Sequence, residues 1–305
     1  MTAQAAASGT LLGIAVPSYK RPDLLARLLD SIDAHWPVVV SDNGAYLDEA
    51  FKARHPSVGF VVQPQVVSPA SNWNRAAQAI DADWIVMPGD DDLYYPSSFA
   101  IIEQAIRANP DAAIFFFGHH IIDECDRITG TWQPPALALA SPEGFERVRL
   151  GVPARPPGIV FRREVFERLR GFGEEFKVTA SDNDFYQRAT LLGQTVFVPD
   201  VVCGYRVWSS GSTAQAIASR EWLDDVDLWS SRVQAFAATD AGYRYPDSLR
   251  DEVYMANLRA GVRAAKISRG WAAGWRHAAR ARYPWRASPV SQFKLLAQLM
   301  LPARP

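Results

Sequence analysis

The stretch WIVMPGDDDLYYP, Trp84–Pro96, decides the fold. Trp84–Met87 is a short apolar run with the length of a buried strand. It passes at once into Gly89-Asp90-Asp91-Asp92, with Gly89 supplying the freedom for a tight turn. A solvated acidic loop or a helix cap before Pro96 would read the same way in isolation. What separates the readings is the company this loop keeps.

Working outward, two more polar clusters fall at the ends of apolar runs. Leu11–Val16 reads as a strand that ends in Pro17-Ser18-Tyr19-Lys20-Arg21, and Val38–Ser41 as a strand that ends in Asp42-Asn43-Gly44. Val58–Val62 is a further strand. Between the strands, Asp23–Ala34 (Leu24, Leu25, Leu28, Leu29 and Ile32) and Ser71–Ile80 carry helical spacing. Alternation of this kind predicts an α/β fold with a mainly parallel sheet covered by helices on both faces. Such sheets bind ligands at the carboxyl ends of their strands, near a switch in strand order. Three polar clusters on that one edge make a site.

Further along, Pro96–Ala108 reads as a helix and Ala112–Phe117 as a strand, while Asp123–Pro142 is turn-rich and unassigned. Gly158–Gly173 reads as strand, short helix and turn, Asp182–Leu192 as a helix, and Thr195–Val198 and Val201–Val207 as two strands. From about Ser219 the pattern is helical throughout. The expected organisation is a flexible N-terminus over 1–10 and an α/β domain over 11–215. That domain divides into two halves, 11–110 and 111–215, and a basic helical region (216–305) follows.

The composition, 48% apolar and 21% charged over 305 residues, is that of an ordinary globular chain. Cys125 and Cys203 are far apart, which argues against a disulfide framework and fits a reducing compartment. No signal peptide and no membrane-spanning run are expected, so the chain reads as cytoplasmic. The net charge of −1 hides an asymmetry: from Val253 onward there are ten Lys/Arg and no acid, which leaves 22 bases against 33 acids before it. An acidic body does not suit nucleic acid. The basic end suits an anionic surface.

The segments IAVPSYKRPDLLARLLDSI, VVVSDNGA, NWNRAAQAIDADWIVMPGDDDLYYP and GFGEEFKVTASDNDFYQRATLLG, in that order, resemble the family 2 inverting glycosyltransferases of the GT-A fold. The resemblance covers Leu11 to Thr213 and is nearest in form to bacterial enzymes of O-antigen and surface-polysaccharide assembly. It implies a UDP-, dTDP- or GDP-linked sugar donor, Mn2+ or Mg2+, and a saccharide or lipid-linked saccharide acceptor. Pro17, Ser18 and Tyr19 would line the nucleoside pocket, Arg21 and Asn74 would belong to the donor site, and Asp42 would bind the base. Asp90 would lie near the ribose or the metal, and Asp91 and Asp92 nearer the metal and diphosphate.

The sequence departs from the family at three places. Gly89 stands where relatives often begin the motif with Asp. Trp73-Asn74 stands where they have Arg-Asn, so Arg75 is either a phosphate-facing cation or an exposed helix residue. Trp208 replaces a histidine, which leaves Arg206 or Ser212 to take its contact. Inverting transfer needs a base to deprotonate the acceptor hydroxyl. The resemblance implies that in TASDNDFYQR this base would be Asp182, at the family's acidic pair (here Ser181-Asp182), with Asp184 as understudy, though Asp182 could instead cap the helix it opens.

Adjacent His119 and His120 point apart and read as a strand end or acceptor pocket rather than a metal site. Trp73 and Trp132 could stack on a sugar or base, or sit in the core. In Gly270–Arg282, Trp271 and Trp275 share a face opposite Arg269, Arg276 and Arg280. That pattern predicts a helix lying on the inner face of the cytoplasmic membrane, or else a cap with solvated arginines. Two other functions remain open: a catalytically inactive carbohydrate-binding or assembly module, and a sugar-nucleotide pyrophosphorylase. The second is disfavoured because PSYKRP has no glycine.

Overall fold

The computed structural model describes residues 10–208 and 216–302. The expected flexible segment over 1–10 therefore lies almost wholly outside the described residues, as do Ser212 and Thr213. The chain forms two compact units. One consists of residues up to 140 with Pro153–Phe172 and Gly193–Arg206; the other consists of Ser141–Val152, Gly173–Leu192 and the chain from Val207 on.

The first unit is built on a ten-stranded mixed sheet. Its strands are β1 (Leu12–Ser18), β2 (Val38–Asn43), β3 (Val58–Gln63), β4 (Trp84–Val86), β5 (Leu93–Tyr94), β6 (Ala112–Ile122), β7 (Ile128–Trp132), β8 (Leu137–Leu139), β9 (Ile159–Arg162) and β10 (Gln194–Arg206). The spatial order is β3-β2-β1-β4-β9-β6-β10-β5, with β7 against β6 and β8 against β10. Strands β3, β2, β1 and β4 are parallel, as the alternating pattern predicts. β9 enters antiparallel between β4 and β6 and makes the sheet mixed.

The chain lays down β1, β2 and β3 in one direction, then returns to place β4 on the other side of β1. That reversal is a switch point, and it sets the carboxyl ends of β1 and β4 side by side. Strands buried on both faces need apolar side chains on both. Leu12, Ile14, Ala15 and Val16 are fully buried, as are Phe115, Phe116 and Phe117 of β6. Truncating one of these rings would cost ~3–5 kcal/mol. Gly13 permits the tight approach of the chain leading into β4, since a Cβ there would lie 2.4 Å from Ile80 and 2.8 Å from Ala82.

Helices α1 (Pro22–Asp30), α2 (Glu49–Arg54), α3 (Pro69–Ala79), α4 (Ser98–Ala108) and α6 (Arg163–Leu169) also belong to this unit. α1 is shorter than its apolar spacing suggested: Pro22 starts it and Ser31 ends it, donating its N–H to Leu28 and Leu29. The turn-rich segment after Asp123 is a hairpin of β6 and β7 followed by β8. The two strands expected near 195–207 are one strand, β10, interrupted by register shifts between Val198 and Cys203.

The second unit holds α5 (Glu143–Val148), α7 (Ser181–Thr190), α8 (Arg220–Asp240), α9 (Asp247–Arg269), α10 (Trp271–Arg280) and α11 (Pro289–Met300). Ser219 caps α8 by accepting from the Trp222 N–H, near the point where the helical pattern begins in the sequence. Its core gathers Phe145, Trp222, Trp229, Val233, Met255 and Leu258. Lys266 is buried, and its ammonium donates to the carbonyls of Gln298, Leu299 and Leu301, which tethers the end of α11 to α9. Among the described residues, no helix is long and apolar enough to cross a membrane.

Candidate active site

At the switch point the residues after β1 and those after β4 are bonded to each other. Asp90 accepts from the Ser18 hydroxyl at 2.8 Å, from the Tyr19 N–H at 2.9 Å and from Arg21 at 3.4 Å. The single Ser18 proton goes to Asp90, so the Tyr46 hydroxyl, which also touches Ser18 Oγ, must be the donor in that contact. Burial chiefly pushes the Tyr46 phenol up to about 12, which keeps it protonated for this role. Burial also raises Asp90, from 3.8 to about 6, against the lowering effect of its Tyr19, Ser18 and Arg21 partners.

The three neighbouring carboxylates have different fates. Asp91 pairs with Arg21, whose side chain is 45% exposed, and keeps 13% of its own side chain exposed. Asp92 is buried and spends one oxygen on the Gly89 N–H at 2.8 Å and the other on the Arg206 N–H at 3.0 Å. Burial first, and the Asp91 charge next, push its carboxyl well above the ordinary range. Asp92, expected at the metal, holds the loop against the end of β10 through these two bonds.

Gly89 also has a different reason from the one expected. Its backbone is not left-handed. A Cβ would lie 2.9 Å from Asp91 Oδ1 and 3.2 Å from Asp92 Oδ2, so a side chain would collide with the carboxylates the loop presents.

Asp42 is fully buried and accepts from the Tyr46 and Leu47 N–H groups, which shapes the 43–47 loop at the end of β2. Asn74 gives its amide to the Phe172 backbone, donating to the carbonyl and accepting from the N–H, and ties α3 to the 171–172 turn. Arg206 is consumed as well: it donates to the Asp91 and Asp123 carbonyls and pairs with Asp126. Arg75 is exposed on α3. Tyr19 is exposed, with the Lys20 ammonium 5.0 Å from its ring centroid, and Pro17 is half-buried at the end of β1.

Sequence reasoning missed Tyr46 and Asn72. Asn72 reaches the Ser18 carbonyl at 3.5 Å and has a buried Oδ1 with no donor among the described residues. His119 is buried, and burial together with Arg155 holds it down to about 4; His120 meets the Tyr95 hydroxyl instead. The pair diverges as expected. Trp132 packs on His119 and Trp73 on Phe172, both as protein-to-protein ring contacts.

In the second unit, α7 opens after Ala180, a non-glycine residue at φ +70°. Backbone strain of this kind persists only where surroundings enforce it. Here Asp225 of α8 does so, its buried carboxylate accepting the N–H groups of Lys177, Val178 and Thr179. No sequence signal marked Asp225. Asp182 is half-buried, with Oδ1 accepting from the Asn183 N–H at 2.8 Å. Asp184 is fully buried and clamped by Arg188 and Arg232, which removes it as an alternative base.

A mixed, mainly parallel sheet whose β1 and β4 ends meet at a switch point, with an aromatic, a cation and a partly open carboxylate there, defines the chain as an α/β protein of the nucleotide-binding type of topology. The model of glycosyl transferase family 2 matches residues 13–170, and the chain belongs to that family. The O-antigen biosynthesis protein RfbC of Myxococcus xanthus is 26% identical over 296 residues, covering 85% of this chain but 23% of the relative. The chain thus spans about a quarter of that protein's length. Among solved structures, S. aureus TarS 1–349 in complex with UDP-GlcNAc superposes with a TM-score of 0.61 at 12% identity, covering 97% of this chain and 82% of that one. The mannosyltransferase PcManGT from Pyrobaculum calidifontis in complex with GDP-Man and Mn2+ gives 0.56 at 19% identity, covering 96% and 86%. The fold is GT-A, as the motif order implied, with helices following the sheet. Family membership sets the pyrophosphorylase reading aside.

Proposed function

We propose that this chain moves a sugar from a nucleotide diphosphate donor to a hydroxyl of a saccharide acceptor, with inversion at the anomeric carbon. The observation that carries the proposal is the joining of the β1 and β4 ends, where Ser18, Tyr19 and Arg21 meet Asp90 and Asp91. The exposed Tyr19 ring is suited to a nucleoside and the Arg21 guanidinium to a diphosphate.

Mn2+ or Mg2+ fits this donor set. Such ions are commonly held by one or two carboxylates plus substrate phosphates, and Asp91 keeps an exposed edge for that purpose. Bound there, the ion would neutralise charge on the departing diphosphate. Asp90 holds Ser18 and the Tyr19 backbone in place, and Asp92 fixes the loop from which Asp91 projects. Asp182 takes the proton of the acceptor hydroxyl as that oxygen bonds to the anomeric carbon. The bond to the diphosphate breaks, and its electron pair leaves with the diphosphate.

The acceptor side of the proposal is a lipid-linked saccharide of bacterial surface-polysaccharide synthesis, met at the inner face of the cytoplasmic membrane. The support is an exposed apolar surface in the second unit, with Trp271, Trp285, Phe293, Leu296 and Met300 set in the segment rich in bases. Co-sedimentation with anionic vesicles, reduced in Trp285→Ala and Phe293→Ala, checks this part.

The donor site is tested by melting the protein with UDP, dTDP, GDP and CDP, with and without Mn2+, and by following donor hydrolysis. One nucleotide should raise the melting temperature only with metal, and Asp91→Ala should abolish that rise and the turnover. Binding without turnover across a broad donor and acceptor panel would instead favour an inactive carbohydrate-binding module. No shift with any nucleotide would remove the site assignment.

A further inference from the structure

The second unit holds a cavity of about 240 Å3 between the start of α8, the end of α9 and one flank of α10. Five arginines line it: Arg220, Arg269, Arg276, Arg280 and Arg282. Against them stand two acids, Asp224 and Asp227. Asp227 is already paired with Arg250 and Arg282, and Arg282 is further held by Asp251. Asp224 meets Arg220 at 3.8 Å, both well exposed. Arg276 and Arg280 have no ion-pair partner among the described residues, and Arg269 has only a long contact of 3.4 Å to the Ala218 carbonyl.

Three guanidinium groups thus face one small space with no ion pair of their own among the described residues, while both acids of its lining are engaged by other arginines. His277 borders the same space, and burial first, with the Arg269 charge after it, biases its ring toward the neutral form. Arg276 and Arg280 are four residues apart, so α10 stacks them on one flank; Trp271 and Trp275 lie on the other. The cavity is smaller than the ~300–1,000 Å3 typical of pockets that enclose drug-sized ligands. It suits a compact anion rather than a whole nucleotide or saccharide.

We infer that this cavity binds a phosphate or diphosphate group, held by Arg269, Arg276 and Arg280 through charge-assisted, bidentate hydrogen bonds. The site lies in the helical unit, outside the acidic loop, and does not depend on the donor-site reading.

The test is calorimetric titration of the full chain with pyrophosphate in metal-free buffer, where the acidic loop has no cation to hold a diphosphate. Saturable one-to-one binding is expected. It should weaken more than about tenfold in an Arg276→Ala/Arg280→Ala variant, fall less in the corresponding double lysine variant, and persist in Asp91→Ala. Both replaced side chains are exposed, so the melting temperature should stay put and separate lost binding from lost folding. Vesicles of phosphatidylcholine doped with phosphatidic acid, against phosphatidylcholine alone, then separate the sources. Displacement of the doped vesicles by pyrophosphate assigns the group to a lipid headgroup; pyrophosphate binding without displacement assigns it to a soluble diphosphate. Absent saturation, or binding indifferent to the arginine substitutions, overturns the inference.

Discussion

The acidic loop after β4 and the opening of α7 solve the same problem differently. Each carries several carboxylates within a few residues, and each leaves one partly open while committing another to structure. In the loop, Asp92 is satisfied by two backbone N–H groups and Asp91 stays at the edge with Arg21. At α7, Asp184 is satisfied by two arginines and Asp182 remains half-buried. The committed acid in the first case fastens backbone, and in the second it neutralises a buried and a half-buried arginine. Residue type was identical in all four; burial and partners assigned the roles.

The sharpest break in this comparison is Asp182→Asn. It should lower kcat by ~10²–10⁴, the share ordinarily due to a positioned base, with donor binding and melting temperature nearly unchanged. Equal turnover would make Asp182 a helix-cap residue and nothing more. Asp184→Ala should do the reverse. It strands a buried Arg188 and should cost ~3–5 kcal/mol in denaturant unfolding, with any loss of activity following the loss of folded protein.

Next in size is Asp92→Ala, which leaves the Gly89 and Arg206 N–H groups without acceptors. A loss of about 2–4 kcal/mol is expected from two such orphaned donors. A variant of wild-type stability would show that the loop is held by something other than Asp92.

A pH slope of comparable size closes the series. Asp90 titrates at about 6 in the folded chain against 3.8 as the ordinary value. Between those values the folded state binds the extra proton, so this group makes stability fall as pH rises through that window. The amount approaches about 3 kcal/mol once both states are ionised. Urea unfolding across that range should show the decline, and Asp90→Asn should flatten it. Because the ionised form accepts from Tyr19 and Arg21, donor binding should weaken below about pH 6 in parallel.

Much of this was legible in the sequence. Period and run length exposed the parallel strands and the helical end. The order of four motifs placed the family, because strand ends that feed one crevice must recur at fixed points along the chain. What was not legible were contacts between segments far apart. Asn74 and Arg206 have the chemistry of ligand-binding residues, and each bonds backbone that only the fold brings near: Phe172, and Asp91 with Asp123. Asp225 had no local signature, since its partners lie some 46–48 residues away.

The sequence by itself determined the mainly parallel sheet, the family and the place of the acidic loop at a strand end, because hydrophobic period and motif order are properties of the chain. Only the tertiary structure decided which aspartate in each cluster remains open, because a carboxylate's role depends on its burial and on donors supplied by other elements. The same holds for Gly89. Sequence marked it as a departure, and the fold supplied the reason: a Cβ there would occupy the space that Asp91 and Asp92 need.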